Sequence, residues 1–197
     1  MFDAVILAGG RGSRLGGVSK ASLMRGRDTL LRLALAAATG ARQIVVVGDV
    51  EPDSGYRVTR ESPPFAGPVA AISAGLDAID GAASPLVLVL ACDMPDVAQA
   101  VEALLAHPAS ADGVGGTDGV IGTDATAHDQ FLVAVYSRRA LDQRLSELNV
   151  VDASMRELIS GFSLERIAVP PGSTDDVDTW QDAAALGVAK GNEHHVG

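Results

Sequence analysis

The first twenty residues constrain the fold more than any later stretch, because they join a buried strand to a loop that must turn sharply beside it. Ala4 to Ala8 is an apolar run, and Gly9, Gly10, Gly12, Gly16 and Gly17 follow, interspersed with Arg11, Arg14 and Lys20. An aliphatic run bounded by glycines reads as a short buried strand. The glycines let the backbone turn tightly and let a ligand approach the main chain. Backbone N–H groups together with fixed cations make a cradle for phosphate oxygens. The first expectation is therefore a nucleoside triphosphate site.

Two common phosphate loops do not fit. A P-loop requires a Lys-Ser/Thr pair at a set distance from two glycines, and no glycine here puts one in register. A dinucleotide fingerprint could begin at Gly10-Arg11-Gly12, but its third glycine position holds Leu15. That mismatch counts against a dinucleotide-dependent oxidoreductase.

The 197 residues suffice for one domain, and 47% apolar residues give it a sizeable core. Aromatic residues are only 4%, so Val, Ile, Leu and Ala must fill that core. The net charge of −10 argues against a nucleic-acid surface or attraction to an anionic membrane. No apolar run is long enough to span a bilayer, and residues 1–20 do not read as a signal peptide. The lone cysteine, Cys92, excludes an internal disulfide and fits a cytoplasmic protein.

Further along, Thr29 to Thr39 has helical spacing, with Asp28 expected as its N-cap and Gly40 as its stop. Gln43 to Gly48 is a β-branched run, so strand, helix and strand form a βαβ unit. Tyr56 to Thr59 is a weak strand. Pro63, Pro64, Gly67 and Pro68 make a rigid loop before a small-residue helix from Val69. Pro85 to Ala91 is the most apolar run and reads as the central strand, ending in Cys92-Asp93-Met94-Pro95. A carboxylate at the end of a buried parallel strand faces the crevice where open α/β sheets bind ligands. Asp93 thus suits Mg²⁺, although an N-cap is the plainer alternative. Cys92 has no identifiable activating base and reads as a small buried residue.

Pro95 is expected in the first turn of a helix over Val97 to Leu105. Residues 109–129 are rich in Gly, Asp, Ala and Thr and read as a solvated loop with a short strand at Gly113 to Gly116. His128 within it is not expected to hold metal. Asp129 to Tyr136 is rich in strand formers, and Ser137 to Leu148 reads as a helix carrying Arg138, Arg139 and Arg144. Those arginines could meet an acceptor phosphate or simply line an exposed face. A short helix over Val151 to Ile159 and a late strand over Ser163 to Pro170 complete the core. Asp175 to Asp182 reads as a capped helix start. The expected domain is 1–187, followed by a frayed tail, 188–197, whose His194 and His195 are not expected to bind metal.

Three motifs, in order, resemble one family. Leu-Ala-Gly-Gly-x-x-x-Arg-Leu-Gly-Gly-x-x-Lys (7–20), Cys-Asp-Met-Pro (92–95) and Asp-Val-Asp-Thr (176–179) are similar to the signature of nucleotidyltransferases that move a nucleoside monophosphate onto a phosphorylated acceptor. Within them the chain most resembles the MobA-like molybdenum cofactor guanylyltransferases. The resemblance implies a three-layer α/β/α Rossmann-like sandwich with a mostly parallel mixed sheet, of nucleotide-diphospho-sugar transferase type. It implies Mg²⁺-dependent transfer of GMP from GTP to a molybdopterin-type acceptor, with enzymes that receive the finished cofactor as partners.

By the same resemblance, Leu7, Ala8, Gly9 and Gly10 hold the nucleotide, Arg14 and Lys20 neutralise its phosphates, and Glu61 and Gly67 lie at the base. Arg14, Lys20 and Asp93 are the implied catalytic set, and Asp93 and Asp178 the implied metal ligands. Three positions depart from the pattern: Ser19 where an Asp usually precedes the lysine, Phe131 in a proline position, and Trp180 likewise. CMP transfer, another phosphate acceptor, or a non-catalytic nucleotide-binding homologue remain open on the sequence.

Overall fold

A computed structural model of the chain describes residues 1–10, 12–107 and 116–191. The apolar run at the N-terminus forms β1 (Phe2–Leu7), flanked in parallel by β4 (Ile44–Val47) and β6 (Leu86–Ala91). Strand β5 (Arg57–Thr59) extends this side of the sheet, also in parallel. On the other side come β8 (Asp129–Ser137), β7 (Gly119–Thr123) and β9 (Leu164–Ala168), giving the order β5-β4-β1-β6-β8-β7-β9. Only β8 runs against the rest, pairing antiparallel with both β6 and β7. The expected mixed, mostly parallel sheet is the one formed.

Side chains alternate across β1 and β6 and so supply two cores. Ala4, Ile6, Leu88 and Leu90 meet α1 (Leu30–Ala37) and α3 (Val97–Ala106) on one face. Val5, Leu7, Val87 and Val89 meet α2 (Pro68–Asp77), α4 (Arg138–Glu147) and α5 (Met155–Leu158) on the other. The result is the three-layer sandwich. Helix α2 approaches β1 closely because Gly75 faces it; a methyl group there would lie 2.5 Å from Val5 Cγ1. Buried Asp3 fastens the far end of β1, accepting from the Ser84 backbone N–H (2.7 Å) and from Arg42 Nε (3.3 Å).

A second, three-stranded sheet lies outside the main one. It joins β2 (Met24–Arg25), β3 (Asp28–Thr29) and β10 (Val188–Ala189), beside α6 (Trp180–Ala185). Its core is Leu15, Leu23, Leu30, Val177, Ala183 and Val188, all buried. Residues from the glycine loop and from the C-terminal segment therefore share one small hydrophobic cluster.

Several expectations need correction. The N-cap of α1 is Thr29, whose hydroxyl accepts from the Arg32 N–H; Asp28 instead pairs in β3. Pro95 precedes the α3 cap residue, Asp96, and is not in the first turn. Residues 119–123, expected as solvated loop, are a fully buried strand. Glycine is needed there for packing, since a Cβ on Gly119 would lie 2.8 Å from the Val135 carbonyl oxygen. Val188, placed in the tail, is buried and paired with Arg25. Of the expected strand at Gly113 to Gly116, residues 113–115 lie outside the described residues, as do His194, His195 and the loop cation Arg11, and Gly116 is a bend.

Candidate functional site

The site forms where β1 and β6 leave the sheet on the same rung. Leu7 lies opposite Ala91, the Cys92 N–H donates to the Leu7 carbonyl (3.0 Å), and the Ala8 N–H donates to the Val47 carbonyl (2.9 Å). Gly9 and Asp93 thus emerge side by side. Beyond Gly10 the loop is tied by the Gly12 carbonyl, which accepts from Leu15 and Gly17 N–H groups at 2.9 Å each. Gly12 has φ 53°, and a Cβ there would strike the Val18 carbonyl, so its place in the loop is fixed by conformation. Two single 3₁₀ turns, Ser13–Leu15 and Lys20–Ser22, then present Arg14 and Lys20.

The C-terminal carboxylates arrive by a different route. The Thr179 hydroxyl caps α6, and the Asp182 carboxylate accepts from the N–H groups of Asp178 (3.3 Å) and Thr179 (2.7 Å). Val177 is buried in the small cluster and its N–H donates to the Asp93 carbonyl (3.1 Å). That bond stitches the late segment to the end of β6. Trp180, at the first helical position, leaves this capping box intact.

One carboxylate oxygen from each of Asp93, Asp176 and Asp178 lies within 4.8 Å of the other two. Lys20 Nζ sits among them, 2.9 Å from Asp93 Oδ2 and 2.5 Å from Asp178 Oδ1, while Arg14 Nη1 is 3.0 Å from Asp178 Oδ2. Lys20 and Asp93 are mostly shielded (22% and 19% exposed), whereas the Arg14 side chain is 72% exposed. Burial alone would pull the Lys20 ammonium down, but Asp93 and Asp178 together outweigh it and leave its pKa raised. Asp176 is also raised, by loss of surrounding water and then by the charges of Asp93 and Asp178. Asp176 is not among the residues that the resemblance implies. Its signal was the spacing: two carboxylates flanking a buried Val177.

Two cavities meet at this point. One, about 320 Å³, is bordered by Leu7, Glu61, Phe65, Gly67, Pro68 and Leu132. The other, about 310 Å³, is bordered by Ala8, Gly12, Ser13, Arg14 and Asp178. Gly9, Gly10, Lys20 and Asp93 belong to both. The residues that the resemblance implies for nucleotide, metal and catalysis each border one cavity or the other. Glu61 is buried, its Oε1 accepting from the Phe65 N–H (2.9 Å) and lying 4.0 Å from where a Gly9 Cβ would be. Gly67 caps α2, whose first residue is Pro68. A larger open groove, about 990 Å³, lies beside α1 and β5. Its arginines Arg32, Arg42 and Arg57 are each paired with an aspartate, and it borders none of the three clustered carboxylates.

The chemistry this corner offers is electrostatic. Three carboxylates supply hard oxygen donors, and two cationic groups already lie among them, so the corner accepts positive charge and fits a divalent ion. Cys92 offers no nucleophile: burial and then the Asp93 charge push its thiol up to about 12. Arg138 and Arg144 do not reach the site. The Arg138 N–H donates to the Pro85 carbonyl at the start of β6, opposite its Asp93 end, and its side chain pairs with Asp142. Arg144 donates to the Glu157 carbonyl. His128 is exposed, with Nδ1 2.6 Å from the Thr126 hydroxyl.

The model of the MobA-like NTP transferase domain matches residues 4–167. A molybdenum cofactor guanylyltransferase of Methylibium petroleiphilum is 34% identical over 117 residues, a match covering 56% of each chain. The aligned part is thus little more than half the length of that relative. Among solved structures, a homologue from Mycobacterium sp. strain JC1 of a Mycobacterium tuberculosis protein is 26% identical, covers 94% of both chains and superposes with a TM-score of 0.72. The molybdopterin-guanine dinucleotide biosynthesis protein A of Archaeoglobus fulgidus, 20% identical, shares the fold with a TM-score of 0.70, over 94% of this chain and 96% of that one.

Proposed function

Since the chain belongs to the MobA-like NTP transferase domain family, we propose that it moves GMP from GTP to the phosphate of a molybdopterin-type acceptor and releases pyrophosphate. What supports the reading most is the pair of cavities that share Gly9, Gly10, Lys20 and Asp93. One has the buried carboxylate of Glu61 and apolar walls suited to a base, and the other has cations suited to a phosphate chain.

In this reading the Leu7-Ala8-Gly9-Gly10 backbone cradles the nucleotide, with Glu61 and Gly67 at the guanine. Arg14 and Lys20 neutralise the β- and γ-phosphates. An oxygen of the acceptor phosphate forms a new bond to the α-phosphorus. The bond from that phosphorus to the bridging oxygen breaks, and the electron pair leaves with pyrophosphate. The acceptor oxygen is already ionised at neutral pH, so no side chain has to remove a proton. Catalysis then consists of in-line positioning and stabilisation of the charge that gathers on the leaving oxygens. Asp93 and Asp178 would hold Mg²⁺, which when bound supplies charge neutralisation at phosphate oxygens.

A second reading keeps the chemistry and changes the acceptor or the base. Phe131 favours it: the position carries proline in the resembled pattern, and here its ring lies under the Arg156 guanidinium, 5.8 Å from the centroid. A cytoplasmic setting and delivery to cofactor-receiving enzymes complete the proposal.

Thermal unfolding with GTP, CTP, ATP, UTP and NAD, each with and without Mg²⁺, separates the readings. A ligand at about 100 times its Kd adds roughly 2.7 kcal/mol of stability. Selective stabilisation by GTP with Mg²⁺ is the expected result. Preference for CTP moves the proposal to cytidylyl transfer, and indifference to every triphosphate overturns it.

A further inference from the structure

We propose that Lys20 and Arg14 act as a counter-ion latch on the acidic corner, so that the triphosphate and the divalent ion enter the site as a coupled pair. The inference rests on the reading of these two cations as phosphate ligands. Lys20 Nζ contacts Asp93 Oδ2 at 2.9 Å and Asp178 Oδ1 at 2.5 Å, and Arg14 Nη1 contacts Asp178 Oδ2 at 3.0 Å. Two of the three clustered carboxylates therefore already hold a cation, and one of those cations lies between them. A divalent ion approaching Asp93 and Asp178 meets like charge at short range, in a partly shielded place where water screens it poorly.

Both cations also border the cavity that takes the phosphates, together with Gly10, Gly12 and Ser13. The phosphates therefore present Lys20 and Arg14 with an alternative anionic partner within the same cavity. When these side chains turn to the phosphates, the oxygens of Asp93 and Asp178 are released. Each ligand thereby raises the affinity of the other, as any coupling of this kind must do in both directions. Lys20 sits on the short 3₁₀ turn Lys20–Ser22, and Leu23 just after it is fully buried. The switch is thus a movement of the lysine side chain above a fixed backbone. A consequence for the free protein follows: its acidic corner is guarded against stray divalent ions.

The test is Mn²⁺ binding, read by the electron paramagnetic resonance of free Mn²⁺, with and without the non-hydrolysable α,β-methylene analogue of GTP. Without nucleotide, Lys20→Met should bind Mn²⁺ tighter than the wild type by on the order of tenfold or more. Arg14→Met should shift in the same direction by less, since Arg14 touches one carboxylate and is largely exposed. Wild type should gain Mn²⁺ affinity when the analogue is added, and Lys20→Met should gain less. Unchanged or weaker Mn²⁺ binding in both variants overturns the latch, even if the analogue binds the wild type and the nucleotide reading stands. If Lys20→Met does not fold, Arg14→Met decides the matter alone. Failure of the analogue to stabilise the wild type counts separately, against the nucleotide reading.

Discussion

The two halves of the candidate site are built by different means. Gly9 and Asp93 project from adjacent parallel strands at the centre of the main sheet, where β1 is paired on both sides and both cores converge. Arg14, Lys20, Asp176 and Asp178 are held by the outer sheet and its six-residue cluster, far smaller than either main core. One half is placed by the sheet backbone, the other by a small hydrophobic clasp and local turns and caps, joined to the first by the hydrogen bond from the Val177 N–H to the Asp93 carbonyl. The difference teaches where adaptability can reside. The residues that must change partners during loading sit on the clasp, and the residue that must stay put sits on the sheet.

The largest expected break in this comparison is on the sheet side. Asp93→Ala should remove about 3 kcal/mol or more of transition-state stabilisation, a fall in kcat of at least about a hundredfold. Near-normal turnover would refute its assignment. Next, the two cores can be weakened in parallel. Leu88→Ala and Leu23→Ala each delete a fully buried leucine and should lower stability by about 2–5 kcal/mol, as such truncations do. Leu88→Ala should leave the kinetics of the remaining folded protein unchanged. Leu23→Ala should raise KM for the triphosphate and speed hydrogen exchange in residues 12–30, well below the midpoint of unfolding. Equal kinetic behaviour would mean that the clasp does not position the cations.

Smaller effects sharpen the same contrast. Cys92, beside Asp93, is buried with its thiol near 12, so it should resist Ellman's reagent at about pH 8 in the native protein. Cys92→Ala should keep kcat within about twofold of wild type. Rapid stoichiometric labelling without unfolding would show that this strand end opens. The smallest effect lies at Asp124, in the turn between β7 and β8. The Thr126 hydroxyl and then the His128 N–H hold its carboxyl down to about 2, below its usual value of 3.8. A lowered pKa stabilises the fold above the unfolded value and ceases to do so as pH falls through the folded one. The stability difference between wild type and Asp124→Ala should therefore be largest near neutral pH and shrink as pH falls from about 4 to about 2. A difference that is flat across that interval would contradict the assignment.

What was legible in the sequence follows the same division. Strands β1, β4 and β6 were readable because a buried parallel strand is a plain aliphatic run, and the strand ends pointed directly to Gly9 and Asp93. The outer sheet was not readable. Its strands are two residues each, and no local pattern links Leu15 and Leu23 to Val177 and Val188, more than 150 residues later. Asp178 is implied only by the resemblance, and the spacing of Asp176 and Asp178 around Val177 does not link them to Asp93, because what unites the three carboxylates is a tertiary contact. Strand β7 was hidden for the opposite reason. Its glycines gave it the composition of a loop, yet Gly119 is there because the neighbouring Val135 carbonyl leaves no room for a methyl group.

The rung shared by Leu7 and Ala91 makes strand length a calliper. Gly9 and Asp93 each follow their rung by two residues, so their separation is set by counting along two chains that cannot slide past one another. Deleting one residue anywhere between Leu86 and Ala91 would invert the strand's faces. It would also retract Asp93 by about 3.3 Å along the strand axis, more than the 2.9 Å that now joins it to Lys20. Insertions and deletions in this chain are therefore partitioned in advance. They are ruinous in the runs before Ala8 and Cys92, and less consequential in the turn after β7, which borders neither cavity of the site.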